Sequence, residues 1–174
     1  MPALWRQHES SDMSRVRVQG DDFDLSTEVA QLRANDPKVG AVVSFVGTVR
    51  DLNDGVGVAG MELEHYPGMT EQAIETIIDQ ALARWDLSDA LVVHRIGPLL
   101  PMAQIVLVVT AAAHRGAAFA ACEFIIDYLK TEAPFWKKEQ TELGARWVDA
   151  RSSDQHSLAK WSVDAAGRPD EPAH

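Results

Sequence analysis

The chain has 174 residues, enough for one domain with a substantial buried core. Hydrophobic residues make up 46% and charged residues 24%, an ordinary soluble globular composition, and 16 basic against 26 acidic residues give a formal net charge of −10. That balance leaves no basic excess to neutralise nucleic-acid phosphates or an anionic membrane surface, so neither is an expected partner. The single cysteine, Cys122, excludes an intramolecular disulfide and a cysteine-rich metal site and points to a reducing cytoplasm.

Residues 1–14 read as a flexible leader. Arg6, His8, Glu9 and Asp12 interrupt any apolar run, so the segment is no signal peptide, and Met13 is an alternative start. The longest apolar stretches have strand length, well short of a membrane span. Arg15 to Val18 alternates as a short edge strand. Ser26 to Ala34 reads as a helix capped by Ser26 or Thr27, with Val29 and Leu32 on one face, ended by Asn35-Asp36-Pro37.

Gly40 to Val49 is almost continuously apolar, the pattern of a central strand covered on both faces. Arg50 follows it, at the mouth of a polar, glycine-bearing loop from Asp51 to Gly57. Val58 to His65 is a second strand, with Met61 and Leu63 on one face and Glu62 and Glu64 on the other. Thr70 to Trp85 is the clearest helix: Thr70 is placed to cap it, and Ile74, Ile77, Ile78, Ala81, Leu82 and Trp85 form one stripe. Ala90 to Ile96 and Ile105 to Thr110 are further strands. From His114 to Lys130 the apolar positions Phe119, Cys122, Ile126 and Leu129 step by three, four and three, one helix face. Pro134 ends that helix, Ala145 to Ala150 is a last strand, and Ser152 to Trp161 a short helix or irregular cover. Residues 162–174 read as a disordered tail, which leaves 15–161 as the folded domain. Strands and helices mix without strict alternation, so the expected class is α+β with a mixed sheet.

Chemistry concentrates between Asp127 and Glu139. Lys130 sits in the last turn of a helix, where a lysine also belongs simply to complement the helix dipole. Lys137 and Lys138 follow Pro134 and two aromatics, Phe135 and Trp136, whose burial would anchor them. If Lys130 and Lys137 converge, one becomes a usable general base. His114-Arg115-Gly116 lies at a strand-to-helix junction suited to an anion, and Arg50 is a further candidate anion ligand, although an arginine at a strand end is usually just solvated. His94-Arg95 lies inside a strand and reads as structural. The six histidines are scattered without metal-binding spacing, and no phosphate-loop, dinucleotide or nucleophile-elbow motif occurs, so no metal or cofactor is expected. Cys122, on an apolar helix face, reads as a packed small hydrophobe.

Four runs in order, residues 45–50 (FVGTVR), 63–71 (LEHYPGMTE), 94–97 (HRIG) and 128–139 (YLKTEAPFWKKE), resemble the large, catalytic subunit of molybdopterin synthase. The similarity spans about Arg15 to Trp161. It implies an α/β hammerhead-like fold with an added small β subdomain. It also implies a sulfurtransferase that builds the dithiolene of molybdopterin on cyclic pyranopterin monophosphate. Sulfur would arrive as a thiocarboxylate on the C-terminus of a small ubiquitin-like subunit, in a heterotetramer with a homodimer of large subunits at its core. By the same resemblance Lys130 and Lys137 are the catalytic lysines. Thr48, Val49, Arg50, His114, Arg115, Lys138 and Glu139 join them in binding substrate. Thr48 stands where some members carry lysine, and Lys138 where arginine also occurs. The rival reading is a non-catalytic adaptor that holds a ubiquitin-like tail in a basic groove. A phosphatase or nucleotide hydrolase lacks its metal ligands or nucleophile motif.

Overall fold

The computed structural model describes residues 14–34, 36–53, 55–148 and 152–163. The expected leader apart from Ser14 and most of the expected tail lie outside them, as do Asn35, Asp149 and Ala150. In chain order the elements are β1 (Val16–Gln19), α1 (Leu25–Arg33), β2 (Ala41–Thr48), β3 (Leu52–Asn53), β4 (Val56–His65), α2 (Met69–Arg84) and β5 (Leu87–Arg95). There follow β6 (Gly97–Leu99), β7 (Gln104–Ala112), α3 (Arg115–Glu132), β8 (Phe135–Thr141), β9 (Gly144–Val148) and α4 (Ser152–Val163). The class is the α+β arrangement expected from the sequence, with a second β layer.

The first sheet has the order β1-β5-β7-β2, with β1 parallel to β5 and the other pairs antiparallel. One face packs on α2 and α3 through Ile74, Ile78, Val92, Val108, Phe124 and Ile125, all fully buried. Trp85, Phe124 and Trp161 meet edge to face there, which docks α4 onto α3. The other face is covered by α1, where Val29 and Leu32 pack against Phe23, Leu91, Val93, Leu107 and Val109. The second sheet runs β3-β4-β8-β9, with β6 on the far edge of β4, around Val49, Met61, Leu63 and Leu99.

Several local expectations are corrected. The apolar run Gly40–Val49 forms β2, but at the sheet edge, bonded to β7 alone; β5 and β7 are the central strands. Its inner residues are apolar because Val42 and Val46 face the α1 layer and Val43 the α2/α3 layer, while Phe45 stays 37% exposed. Helix α1 is capped by Asp24, which accepts from the Thr27 N–H at 2.7 Å, rather than by Ser26 or Thr27.

Helix α2 starts from Gly68, at φ 83°, a conformation that favours glycine, and Glu71 Oε2 accepts the Gly68 N–H at 2.7 Å. Thr70 is therefore no cap. Fully buried, its hydroxyl accepts from Tyr66 N–H at 3.0 Å and donates to Pro134 O at 3.1 Å. The buried stripe of α3 is set by Ala118, Ala121, Cys122, Phe124, Ile125 and Leu129, whereas Phe119 is 61% exposed. The alanines let the helix lie close on β7, where Thr110 Oγ1 donates to Ala118 O at 2.7 Å. The segment after Ile96, expected only to stop a strand, adds β6 through a turn at Gly97, φ 81°.

Candidate active site

The Thr70–Pro134 bond fixes the corner where α3 gives way to β8. Ala133, extended at φ −80°, ψ 129°, turns the chain, and β8 then pairs along the whole length from His65↔Phe135 to Val58↔Thr141. Side chains alternate along a strand, so Phe135, Lys137 and Glu139 share one face and Trp136 and Lys138 the other. The first face borders a cavity of about 450 Å³.

Three structural pieces enclose it. Ile126, Leu129, Lys130 and Ala133 come from the last turns of α3, and Phe45, Thr48, His94, Ile105 and Val106 from the first sheet. Asn53, Met61, Leu63, Val148 and the β8 face close it from the second sheet, and Arg50 stands on the loop between β2 and β3. Three cations distant in sequence, Arg50, Lys130 and Lys137, therefore line one space in an acidic protein. Such a space suits an anionic ligand whose charge is balanced by donors held in place before it arrives.

The placement of Lys137 is supported from beneath. Glu139 is 1% exposed, and its Oε1 lies 3.3 Å from Lys137 Nζ and accepts from Asn53 Nδ2 at 2.7 Å. Its Oε2 accepts from Arg146 Nε at 3.3 Å and Nη2 at 3.1 Å. Burial pushes the Glu139 carboxyl upward, but the Arg146 hydrogen bonds, the Lys137 charge and Asn53 outweigh it and hold the carboxyl below its usual range. Glu139 is thus an ionised, saturated acceptor that orients Lys137.

The other residues named from the sequence divide. Thr48 lines the cavity beside Arg50, while Val49, 3% exposed, does not and packs in the Met61–Leu63–Leu99 cluster. Its N–H donates to Ala103 O at 2.9 Å and its carbonyl accepts from Met102 N–H at 2.8 Å, so it anchors the strand end. Lys138 lies on the outer face of β8, its Nζ 5.4 Å from the Trp147 ring centroid. Trp136, expected to bury, is 47% exposed on that face; only Phe135 turns inward. His114 and Arg115 are exposed at the N-terminal end of α3, the far end from Lys130, and do not line the cavity.

Asn53, Arg146 and His94 emerge only from the structure. Asn53 lay in a stretch that reads as a polar loop, and nothing near it or Arg146 announces a shared carboxylate. His94 reads as structural from its place inside a strand, yet its ring borders the cavity and stacks on Phe135 with centroids 3.7 Å apart and planes 17° apart. Cys122 is buried, and burial pushes its thiol up to about 11, so it is no thiolate at neutral pH. Among the described residues no group of three or more His, Cys, Asp or Glu side chains could hold a metal, and no helix is long and apolar enough to cross a membrane.

Comparison with known proteins agrees with the fold. The family model described as MoaE protein matches residues 18–132. The molybdopterin synthase catalytic subunit of Ralstonia nicotianae is 66% identical over 87% of this chain and 86% of its own length, and that of Vibrio cholerae is 55% identical over 84% and 97%. The solved structure of the molybdopterin biosynthesis MoaE protein from Burkholderia ambifaria superposes with a TM-score of 0.75 at 62% identity, covering 86% of this chain and 99% of that one. With its sequence matched across most of its length and its fold shared, the chain belongs to the MoaE family.

Proposed function

We propose that the chain is the catalytic subunit of a molybdopterin synthase, a sulfurtransferase acting on cyclic pyranopterin monophosphate. The observation that carries this reading is the gathering of Arg50, Lys130 and Lys137 around one cavity, joined to family membership. The substrate brings an anionic cyclic phosphate, and the thiocarboxylated C-terminus of a small ubiquitin-like subunit brings a second anion. Lysines and arginine can only donate, so they suit both.

In this scheme the thiocarboxylate sulfur forms a bond to a side-chain carbon of the pterin as that carbon's bond to oxygen breaks, and the oxygen leaves protonated. Water then cleaves the acyl–sulfur bond, which leaves sulfur on the pterin and a carboxylate on the carrier. A second carrier supplies the other sulfur of the dithiolene. Lys130 acts as the acid/base, giving a proton to the departing oxygen and taking one from the attacking water. Lys137, oriented by Glu139, binds the phosphate together with Arg50. The sulfur is the partner's, in keeping with a Cys122 thiol that burial keeps protonated. His114 and Arg115 lie outside the cavity of their own chain. The proposed homodimer core of a heterotetramer accounts for them, since a second copy would present them at the interface.

Mixing the protein with thiocarboxylated small subunit and the cyclic precursor, then oxidising and reading fluorescence, tests the proposal. Accumulation of the molybdopterin derivative is expected. Capture of the small subunit with the precursor unchanged would favour the adaptor instead.

A further inference from the structure

His94 has chemistry that the lysines do not use. Its Nδ1 lies 2.9 Å from the Arg95 carbonyl oxygen, which can only accept. The proton therefore sits on Nδ1 and the lone pair on Nε2. Nε2 makes no hydrogen bond to any described residue, although the ring borders the cavity. Burial, with a smaller push from the charge of His65, takes the ring down to about 4, so it is neutral at working pH and Nε2 remains an acceptor.

The orientation is held from two sides. Phe135 stacks on the ring 3.7 Å away, and the strand beneath is locked by pairing of His94 with Val18 on one side and Val106 on the other. Elsewhere in the cavity Arg50, Lys130 and Lys137 only donate, and both oxygens of Glu139 are engaged by Asn53, Lys137 and Arg146. Those cations recognise phosphate and carboxylate. They do nothing for the flat heterocycle that carries the phosphate, whose edge offers N–H groups.

We infer that His94 is a specificity-determining residue of this cavity, its Nε2 accepting a hydrogen bond from an N–H donor on the heterocyclic edge of the pterin substrate. The inference rests on the proposed pterin reading and deepens it. An acceptor of fixed direction on the cavity wall favours a ligand with a donor at that point over one that leaves it unpaired.

The test compares wild type, H94F and H94Q for steady-state turnover of the cyclic precursor, inhibition by inorganic phosphate, and urea unfolding. Phenylalanine keeps a ring to stack on Phe135 but has no acceptor, and glutamine restores one. The expected result is a KM about tenfold higher in H94F, kcat within about threefold, an unchanged phosphate inhibition constant, and substantial recovery of KM in H94Q. The assignment is overturned if KM in H94F stays within about twofold of wild type, if phosphate inhibition weakens in parallel, or if glutamine restores nothing. Should H94F fail to fold, wild type is titrated with a pterin monophosphate methylated at its N–H edge. Binding about tenfold weaker than the unmethylated compound supports the assignment, and equal binding overturns it. A wild-type protein that makes no dithiolene at all fails the functional reading first, and the His94 assignment falls with it.

Discussion

Lys137 Nζ lies 3.3 Å from Glu139 Oε1, two residues along the same face of β8, so the strand's own pleat brings the ammonium and its buried counter-ion together. The pair separates placement from chemistry: the carboxylate is full, and Lys137 has only to be held. E139Q keeps the shape but weakens that hold. It is expected to lower turnover by about tenfold while the protein stays folded, whereas E139A leaves Lys137 and Arg146 without their carboxylate and costs about 1–3 kcal/mol in urea unfolding. The lower part of that range applies, because water screens the two partly exposed cations.

The same alternation separates two adjacent lysines. Lys137 faces the cavity and Lys138 faces outward over Trp147. K137A is expected to raise KM for the cyclic precursor by tenfold or more, and K138A to change it by less than about threefold. Steady-state kinetics of the two variants side by side decides it; equal losses would mean that the outer face of β8 also meets substrate.

Cys122 sits among Ala121, Phe124 and Ile125, its thiol pushed up to about 11 by burial. Native protein at pH 8 is expected to resist iodoacetamide, and C122S to keep activity within about twofold while losing about 1 kcal/mol of stability for a poorly paired hydroxyl. Loss of activity in a folded C122S would point to sulfur passing through the chain itself.

His94 also marks the acid limb of stability. Its folded value of about 4 lies below the ordinary 6.5, so between those values the unfolded chain binds more protons. The contribution is fully present above about pH 6.5 and is lost as pH falls toward 4, by roughly 3 kcal/mol over the whole window. Urea unfolding of wild type from pH 7 to pH 4 should show this loss, and H94F should lack that part of it. The Glu139 contribution, lost at still lower pH, should remain in both.

What the sequence made legible follows the reach of each signal. The stripe of α2 was readable because Ile74, Ile77, Ile78 and Ala81 report a period that needs no partner. The position of β2 was not, because an apolar run records which faces are covered and not how many strands flank it. The face of α3 came out shifted because alanines at 118 and 121 pack closely without registering as strongly apolar, while Phe119 does. Within the site, Lys130 and Arg50 stood out as cations at element ends, and Lys137 as a cation following two aromatics, in an acidic chain. Asn53 and Arg146 did not, since a buried carboxylate gathers its partners from 86 and 7 residues away and no local pattern encodes that. His94 was read as structural from its strand, and no sequence pattern shows that its ring also borders the cavity.

The central claim is that Lys130, at the end of α3, performs proton transfer in a cavity it shares with Arg50 and Lys137. The most direct measurement is single turnover of K130A with thiocarboxylated small subunit and cyclic precursor, with binding of the small subunit recorded in parallel. The account predicts that the carrier still binds while dithiolene formation falls by at least about a hundredfold. Near-normal product formation by K130A would contradict it.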